Sequence, residues 1–241
     1  MPDPSVFDTI ETQMGEGDKR SLLSVQEAIR RRPYTYLEIG SHLGGSLQPF
    51  VVDSRCRAIV SIDPRPTVQP DERWVDGYEY PDNSTQRMLD RLDSVPGGDL
   101  TKIRTIEAST ADISPAGITA DLCFIDGEHT NRAALRDAEF CQACSSVILF
   151  HDRTIVARAI DEFLRRTRGI GYPLPELMFV VELERDFVLR SVRGQVPHAR
   201  AWALLNRLGL SGYALRLEAA LQRIRQRSML RTRLRRLFLR S

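Results

Sequence analysis

The chain has 241 residues, of which 42% are hydrophobic and 27% are charged, and its formal net charge is +2. These values are ordinary for a globular protein and allow one α/β domain with a full core plus an appendage. No run approaches the ~18 apolar residues of a membrane span, and the acidic N-terminus lacks the apolar core of a signal peptide. We therefore expect a cytoplasmic protein without transmembrane helices.

The first predicted elements are a helix and a strand that ends in a glycine-rich turn. Apolar residues at helical spacing predict a helix over residues 18–32. The apolar run 36–39 predicts a buried strand, which breaks into Gly40-Ser41-His42-Leu43-Gly44-Gly45. Glycines at such a turn let the backbone approach a ligand closely.

A second predicted strand, residues 58–62, ends at Asp63, where an acid can bind the hydroxyls of a ribose. The glycine spacing is Gly-x-x-x-Gly-Gly rather than the Gly-x-Gly-x-x-Gly of dinucleotide sites, which disfavours a nicotinamide-dependent dehydrogenase. It favours S-adenosylmethionine, which has no pyrophosphate. The long segment 64–82 that follows is typical of a functional loop.

The remaining pattern predicts an α/β fold with a Rossmann-like sheet and helices on both faces. Short apolar runs separated by helical sequence indicate buried parallel strands. A three-residue connection between the last two predicted strands permits only an antiparallel hairpin. The predicted parallel strands are 36–39, 58–62, 103–106, 122–125 and 147–150, the hairpin strands are 177–183 and 187–192, and the later helices are 131–143 and 155–166.

Acidic residues stand where the predicted strands end, and this is the edge at which parallel sheets bind ligands. Helix capping could explain any one of them, but explains the whole set poorly. They include Glu38, Asp63, Asp126 and Asp152.

Two motifs carry a resemblance to a known family: Phe124-Ile125-Asp126-Gly127-Glu128-His129 and Phe150-His151-Asp152. With their surroundings they resemble the class I methyltransferases related to cephalosporin hydroxylase, macrocin O-methyltransferase and rhamnosyl O-methyltransferases, over about residues 20–193. The resemblance implies S-adenosylmethionine as cofactor. The implied cofactor-binding residues are Glu38, Gly40, Ser41, Gly44, Asp63, Ser109 (near the adenine) and Asp126.

The resemblance also implies a metal, since relatives bind Mg²⁺ through the strand-four aspartate and an acidic pair after strand five. Here the candidates are Asp126, His151 and Asp152, with a histidine in place of one acid. Imidazole suits Mn²⁺, Fe²⁺ or Zn²⁺ better than Mg²⁺, so the divalent cation stays a hypothesis.

The proton of an acceptor hydroxyl needs a base, and His129, three residues after Asp126, is our candidate. Asp126 then positions the acceptor or the metal. A surface or helix-capping histidine is the alternative.

Residues 194–241 carry eleven arginines and one acid, Glu218, which suggests a basic module beside a methyltransferase domain over residues 1–193. Helices are predicted over 198–208 and 213–240. A basic amphipathic helix favours an anionic membrane surface. Packing against the catalytic domain or a second subunit of a homo-oligomer is an alternative, whereas the absence of a recognised motif disfavours nucleic acid.

We therefore expect an S-adenosylmethionine-dependent O-methyltransferase, peripheral at the cytoplasmic membrane face. Its acceptor would be a hydroxyl of a sugar, a glycan or glycolipid, or a glycosylated natural product, an assignment that rests on the resemblance alone. A small-molecule methyltransferase of antibiotic biosynthesis is the second enzyme hypothesis. A non-catalytic methyltransferase-like scaffold, tethered by the basic tail, is the alternative of a different class.

Overall fold

The computed structural model describes residues 3–30, 32–184 and 187–238. A seven-stranded sheet forms its centre, with the strand order β5-β2-β1-β6-β7-β9-β8, while β3 and β4 form a separate small hairpin. The strands are β1 (Tyr34–Ile39), β2 (Cys56–Ile62), β3 (Val68–Gln69), β4 (Tyr78–Glu79), β5 (Ile103–Ile106), β6 (Leu122–Ile125), β7 (Val147–Phe150), β8 (Ile170–Pro173) and β9 (Phe179–Glu182).

Helices cover both faces of this sheet. They are α1 (Glu16–Ile29), α2 (Gln48–Val52), α3 (Thr85–Asp93), α4 (Asn131–Cys144), α5 (Ala157–Thr167), α6 (Phe187–Val192), α7 (Ala199–Arg207) and α8 (Ser211–Phe238). The last two residues of the predicted helix 213–240 lie outside the described residues. None of the described helices is both long and apolar enough to cross a bilayer.

The five predicted parallel strands are confirmed as β1, β2, β5, β6 and β7. The sheet also ends in an antiparallel hairpin, as expected, but its strands are β8 and β9, and β9 is antiparallel to both β7 and β8. Strand β9 is inserted between its two neighbours, so β8 points in the same direction as the five parallel strands. This topology places the ends of β1, β2, β6 and β7 side by side.

The predicted hairpin strand 187–192 is wrong, because these residues form α6. Val188 and Val192, four residues apart, are buried in the cluster that contains the apolar face of α1. A short apolar run fits a buried strand or one helical face equally well, and here packing against α1 decides for the helix. The true partner of β9 is β8, an edge strand that ends in Pro173, as edge strands can.

Alternation along the strands separates two apolar cores. Tyr36 and Phe124 point to the face covered by α1, α2, α3 and α6, whereas Leu37 and Ile125 point to the face covered by α4, α5 and α8. Because both faces of the central strands are buried, polar groups of this region collect at the ends of the strands.

Candidate active site

The turn after β1 is held in close contact with the turn after β6. Gly40 and Gly44 have φ angles of 86° and 82°, in the left-handed region that favours glycine. A Cβ atom on Gly40 would overlap the carbonyl oxygen of Asp126 and lie 2.5 Å from the Cα of Gly127. A side chain at this position would therefore push the two turns apart.

Asp63 lies behind the glycine turn, where it is buried and fully engaged. Its Oδ2 accepts a hydrogen bond from the backbone N–H of His42 at 2.9 Å, and its Oδ1 accepts one from the backbone N–H of Arg65 at 2.8 Å. The Arg65 guanidinium lies 3.2 Å from Asp63 Oδ2 and donates to Ser41 Oγ at 3.0 Å. A ribose that binds to Asp63 would share the carboxylate with Arg65 or displace it.

Glu38 is farther inside and is fully buried. Its carboxyl group accepts hydrogen bonds from Tyr36 Oη at 2.6 Å and from Ser46 Oγ at 2.5 Å. Burial raises its pKa to about 8, although the two hydroxyl donors act in the opposite direction. Glu38 thus ties β1 to the segment after the glycine turn, so any effect on a cofactor would be indirect.

Two cavities meet at Gly40, which lines both of them. The smaller, of about 170 Å³, is lined by Pro64, Ser109 and Gly127 among others. The larger, of about 310 Å³, is bordered by Ser41, Tyr78 and Asp126, among others. The two cavities leave room on both sides of the glycine turn for an elongated ligand.

A larger cavity, of about 970 Å³, opens at the opposite edge of the sheet, beside Asp121 and Cys144. It lies at the amino ends of the parallel strands, whereas ligands of this architecture bind at the carboxyl ends. The two smaller cavities are therefore the better candidates for the active site.

Asp126, His129 and His151 bring their ligand atoms together beside the cavity of about 310 Å³. These atoms all lie within 4.8 Å of one another. His151 Nδ1 lies 2.8 Å from Asp126 Oδ1, and His129 Nε2 lies 3.5 Å from the same oxygen. Both of these ring nitrogens are buried without a hydrogen-bond partner. Two buried nitrogens without a hydrogen-bond partner face the same carboxylate oxygen. Together these three atoms form a set of ligands that fits a divalent cation.

Asp152 adds a second carboxylate to this cluster, which we call the Asp–His cluster (Asp126, His129, His151 and Asp152). Its backbone has a φ of 50°, a strained conformation of the kind that occurs at functional sites. Asp152 Oδ2 lies 3.2 Å from His129 Nε2 and 3.9 Å from His151 Nδ1. Asp18 completes the surroundings of His151, at 3.4 Å from Nε2.

The carboxylates dominate the electrostatics of both histidines. Burial alone would disfavour the charged rings, but Asp126 and Asp152 outweigh it and raise the pKa of His129 above its ordinary value and that of His151 well above. Although burial opposes it, the two rings in turn lower the pKa of Asp126. This excess of carboxylates attracts cations, and a metal would bind the neutral rings.

No motif or spacing indicates that Asp71 and Arg73, on the loop 64–82, belong to the site. The backbone of Asp71 bridges to that of His129, and Asp71 Oδ2 lies 3.1 Å from His129 Nδ1. Arg73 binds the Asp71 carboxylate at 2.6 Å and Asp152 Oδ2 at 3.1 Å. An acid and an arginine on a long loop have no spacing that reveals their partners, so only the fold could show them.

Nδ1 of His129 lies between two residues of the loop: Asp71 Oδ2, an acceptor, at 3.1 Å and Arg73 Nη2, a donor, at 2.9 Å. When Nδ1 donates its proton to Asp71, Nε2 carries a lone pair; when Nδ1 accepts from Arg73, Nε2 carries the proton and faces Asp126 and Asp152 as a donor. The two contacts orient the ring in both forms, and the first form is the one that can act as a base or as a metal ligand.

The structure thus brings together Asp126, His129, His151 and Asp152, and it lines the adjoining cavities with Gly40, Ser41 and Ser109. Gly44 shapes the turn from behind, against Met88 and Leu92. Asp63 and Glu38 lie beneath the turn and make the internal contacts described above. The roles of all these residues stay predictions.

Comparisons with known proteins agree with this architecture. No family model and no curated protein matches the chain by sequence. Among solved structures, the calicheamicin methyltransferase CalS11 matches with a TM-score of 0.55 at 14% identity, over 70% of this chain and 79% of that one. The chain has the class I methyltransferase fold. A Klebsiella pneumoniae protein assigned as an O-methyltransferase has a TM-score of 0.50 at 11% identity, over 77% and 92% of the two chains.

Proposed function

We propose that this chain is an S-adenosylmethionine-dependent O-methyltransferase. The observation that carries the proposal is the position of the Asp–His cluster at the edge of the cavity that the Gly40 turn lines. In this fold the glycine turn is the expected cofactor side, so a base and a cation site next to it suit transfer of a methyl group to an oxygen.

S-adenosylmethionine supplies an electrophilic methyl group, so no residue of the chain has to act as a nucleophile. The protein has to align the acceptor hydroxyl in line with the methyl–sulfur bond and to remove its proton. We assign proton removal to His129 Nε2, with the ring oriented by Asp71 through Nδ1. Arg73 anchors Asp71 and Asp152 in their positions, so that the loop 64–82 closes over the site.

We further propose that Asp126 and His151 hold a divalent cation, with Asp152 beside them. Such a cation would act as a Lewis acid toward the acceptor hydroxyl and make its proton easier to remove. The nitrogen and oxygen donors favour Mn²⁺, Fe²⁺ or Zn²⁺ over Mg²⁺.

The acceptor we propose is a hydroxyl of a sugar, in a glycan, a glycolipid or a glycosylated natural product. Besides the resemblance of the sequence, the rim of the cavity of about 310 Å³ supports a sugar as the acceptor. Tyr78 lines that cavity, and Trp74, 58% exposed, lies on the same loop. Aromatic faces of this kind can pack against the apolar face of a sugar ring.

The first test is calorimetric titration with S-adenosylhomocysteine, with NAD as the control, in the presence and absence of Mn²⁺ or Mg²⁺. Binding of S-adenosylhomocysteine alone, lost in Asp63→Ala, supports the proposal. The melting temperature of Asp63→Ala has to be measured too, because the variant leaves the buried Arg65 without its partner. Binding of NAD instead, or of neither compound, contradicts the proposal, and the latter result favours the non-catalytic scaffold.

The metal is tested separately by titrating Mn²⁺ into wild type, His151→Ala and His129→Gln. We expect His151→Ala to lose Mn²⁺ binding and His129→Gln to retain it while losing about 10²–10⁴-fold in turnover. Equal loss of Mn²⁺ affinity in both variants would make His129 a ligand rather than the base. Turnover that a chelator leaves unchanged would exclude the metal from the reaction.

A further inference from the structure

Exposed apolar side chains concentrate on α7, on the turn after it and on α8. Large hydrophobic residues elsewhere in the described part of the chain are mostly buried, apart from a group on the loop 64–82. Large apolar patches on a protein surface mark sites that bind proteins, ligands or membranes. The side chains of this group are between 44% and 63% exposed. We call the group the leucine face, and its members are Leu204, Leu208, Leu210, Tyr213, Leu217, Leu221 and Ile224.

Helix α8 has two apolar faces, of which only one is covered. Leu215 and Ala219 are buried in the core beside α5. Tyr213, Leu217 and Ile224 follow one another at spacings of four and seven residues, which places them on one side of the helix, opposite to the buried pair. The second face therefore stays about half exposed in the described part of the chain.

Arginines flank the leucine face along a groove between α5 and α8. This groove, of about 250 Å³, is lined by Arg158, Arg216 and Arg223 together with Tyr213 and Leu217. Arg216 has an acidic partner, Asp161, at 2.9 Å. Arg158 and Arg223 have no acidic partner within salt-bridge distance among the residues whose side chains are described.

The one acid of the basic segment does not reduce this positive charge at the surface. Glu218 is the only acidic residue between positions 194 and 241, and its carboxylate is paired with Arg153 at 2.8 Å. The leucine face is therefore an apolar stripe with a positively charged border.

We propose that the leucine face docks onto an anionic phospholipid surface. Leucine and tyrosine side chains would enter the boundary between headgroups and acyl chains, and the arginines would contact the lipid phosphates. A second copy of this chain fits less well, because a two-fold contact through this face would bring like-charged arginine borders together. A nucleic acid would satisfy the arginines but leave the leucines without apolar contacts.

The path of α8 connects this docking face with the candidate active site. The Gly212 backbone packs against Asp161, and farther along α8 Glu218 pairs with Arg153, the residue after Asp152. Helix α8 thus runs antiparallel to α5, toward the edge of the sheet that carries the Asp–His cluster. If the proposed function holds, docking brings that cluster near the bilayer, as a lipid-linked acceptor would require; the docking itself does not depend on it.

The test is flotation of the full-length protein with vesicles of phosphatidylcholine alone or with phosphatidylglycerol added. We expect binding to the anionic vesicles only, and weaker binding at high salt. The charge variant Arg158→Gln/Arg223→Gln should lose about thirtyfold in vesicle affinity. The apolar variant Leu217→Gln/Leu221→Gln should lose at least about tenfold. Wild-type affinity in either variant, or no binding by the wild type, overturns the proposal.

Two matched controls remove the same number of charges and apolar groups elsewhere. Arg57→Gln/Arg104→Gln and Val68→Gln/Val75→Gln change exposed residues away from α8 and should bind vesicles like the wild type. Sedimentation of Leu217→Gln/Leu221→Gln and of the wild type tests whether the leucine face binds a second copy of the chain. A wild-type dimer that dissociates in this variant would assign the leucine face to self-association and overturn the proposal. Titration with S-adenosylhomocysteine keeps this test separate from the proposed function. Neither Arg158→Gln/Arg223→Gln nor Leu217→Gln/Leu221→Gln should change the affinity for S-adenosylhomocysteine.

Discussion

Asp71 and Glu72 lie on the same loop, but only the Asp71 side chain contacts the His129 ring. Variants of these two residues therefore distinguish the role of the Asp71 side chain from that of the loop. Asp71 lies 3.1 Å from the ring, whereas its neighbour Glu72 caps α4 by accepting from the backbone N–H of Asn131 at 2.8 Å. If Asp71 orients the base, Asp71→Asn should lower kcat about 10–100-fold, with little change in the affinity for S-adenosylhomocysteine. Steady-state kinetics and calorimetry measure both quantities.

Glu72→Gln is the control for that experiment, because it weakens the anchor of the same loop without changing a group that contacts the His129 ring; the backbone N–H of Glu72 still donates to the His129 carbonyl at 3.1 Å. We expect a smaller loss of kcat than in Asp71→Asn. Nitrogen chemical shifts of the His129 ring should show a changed tautomer in Asp71→Asn alone. Equal kinetic losses with an unchanged tautomer would reduce Asp71 to a loop anchor.

Glu38 should leave a signature in the pH dependence of stability. Its pKa rises from 4.5 to about 8 on folding because it is buried. Between these values the folded protein holds a proton that the unfolded chain has released, so the free energy of unfolding falls as the pH rises. The loss across this window is on the order of a few kcal/mol.

Glu38→Gln should flatten this slope in urea unfolding measured across the same pH range. The amide keeps a group that can hydrogen-bond to Tyr36 and Ser46 but does not titrate. Glu107→Gln, which changes an exposed glutamate at the same edge of the sheet, should leave the slope as it is. A slope in Glu38→Gln that matches the wild type would show that Glu38 is ionised in the folded protein.

At the scale of elements, the contact between the turns after β1 and β6 can be separated from backbone strain. Gly40 and Gly97 have φ angles of 86° and 76°, but a Cβ on Gly97 meets nothing within 4 Å, whereas one on Gly40 meets Asp126 and Gly127. Gly97→Ala should cost about 1–2 kcal/mol of unfolding free energy, from strain alone. Gly40→Ala should cost more and should also abolish binding of S-adenosylhomocysteine.

Urea unfolding and calorimetry on the two glycine variants measure this difference. Similar destabilisation with intact binding in both would mean that the two turns can separate without harm to the cavities. A loss of binding in Gly97→Ala would point to general unfolding rather than to a local cause.

The elements that the sequence predicted correctly are those whose environment repeats along the chain. Strands β1, β2 and β6 are buried on both faces, so continuous apolar runs identify them. Strand β8 was missed because Gly171 and Pro173 are typical of loops; Gly171 is needed there because a Cβ would lie 2.5 Å from the Phe179 ring. That requirement arises from a neighbour in space and leaves no periodic pattern.

The candidate site shows the same division. Asp126, His129, His151 and Asp152 follow directly from strand ends, so the topology of the sheet brings them together. Asp71 reaches His129 from 58 positions away, through a loop whose path depends on its own contacts. Sequence reasoning therefore predicts the residues that the sheet positions, and not those that a loop adds.

At the scale of the whole molecule, α8 determines how the basic segment relates to the sheet. The sequence suggests a separate module from residue 194 onward, and this boundary stays a proposal. Leu215 is fully buried beside α5, whereas Leu217, two residues later on the same helix, is 51% exposed. These two leucines allow the packing of α8 and its proposed docking to be measured apart.

Leu215→Ala should lower the free energy of unfolding by about 2–5 kcal/mol, because it opens a cavity between α8 and α5. Leu217→Ala should change it by no more than about 0.5 kcal/mol while weakening vesicle binding. Denaturant unfolding of both variants provides the comparison. If Leu215→Ala is as stable as Leu217→Ala, α8 unfolds independently and the basic segment is a separate module. If Leu215→Ala is much less stable, the first turns of α8 are part of the methyltransferase core, and the leucine face is a rigid surface on that core.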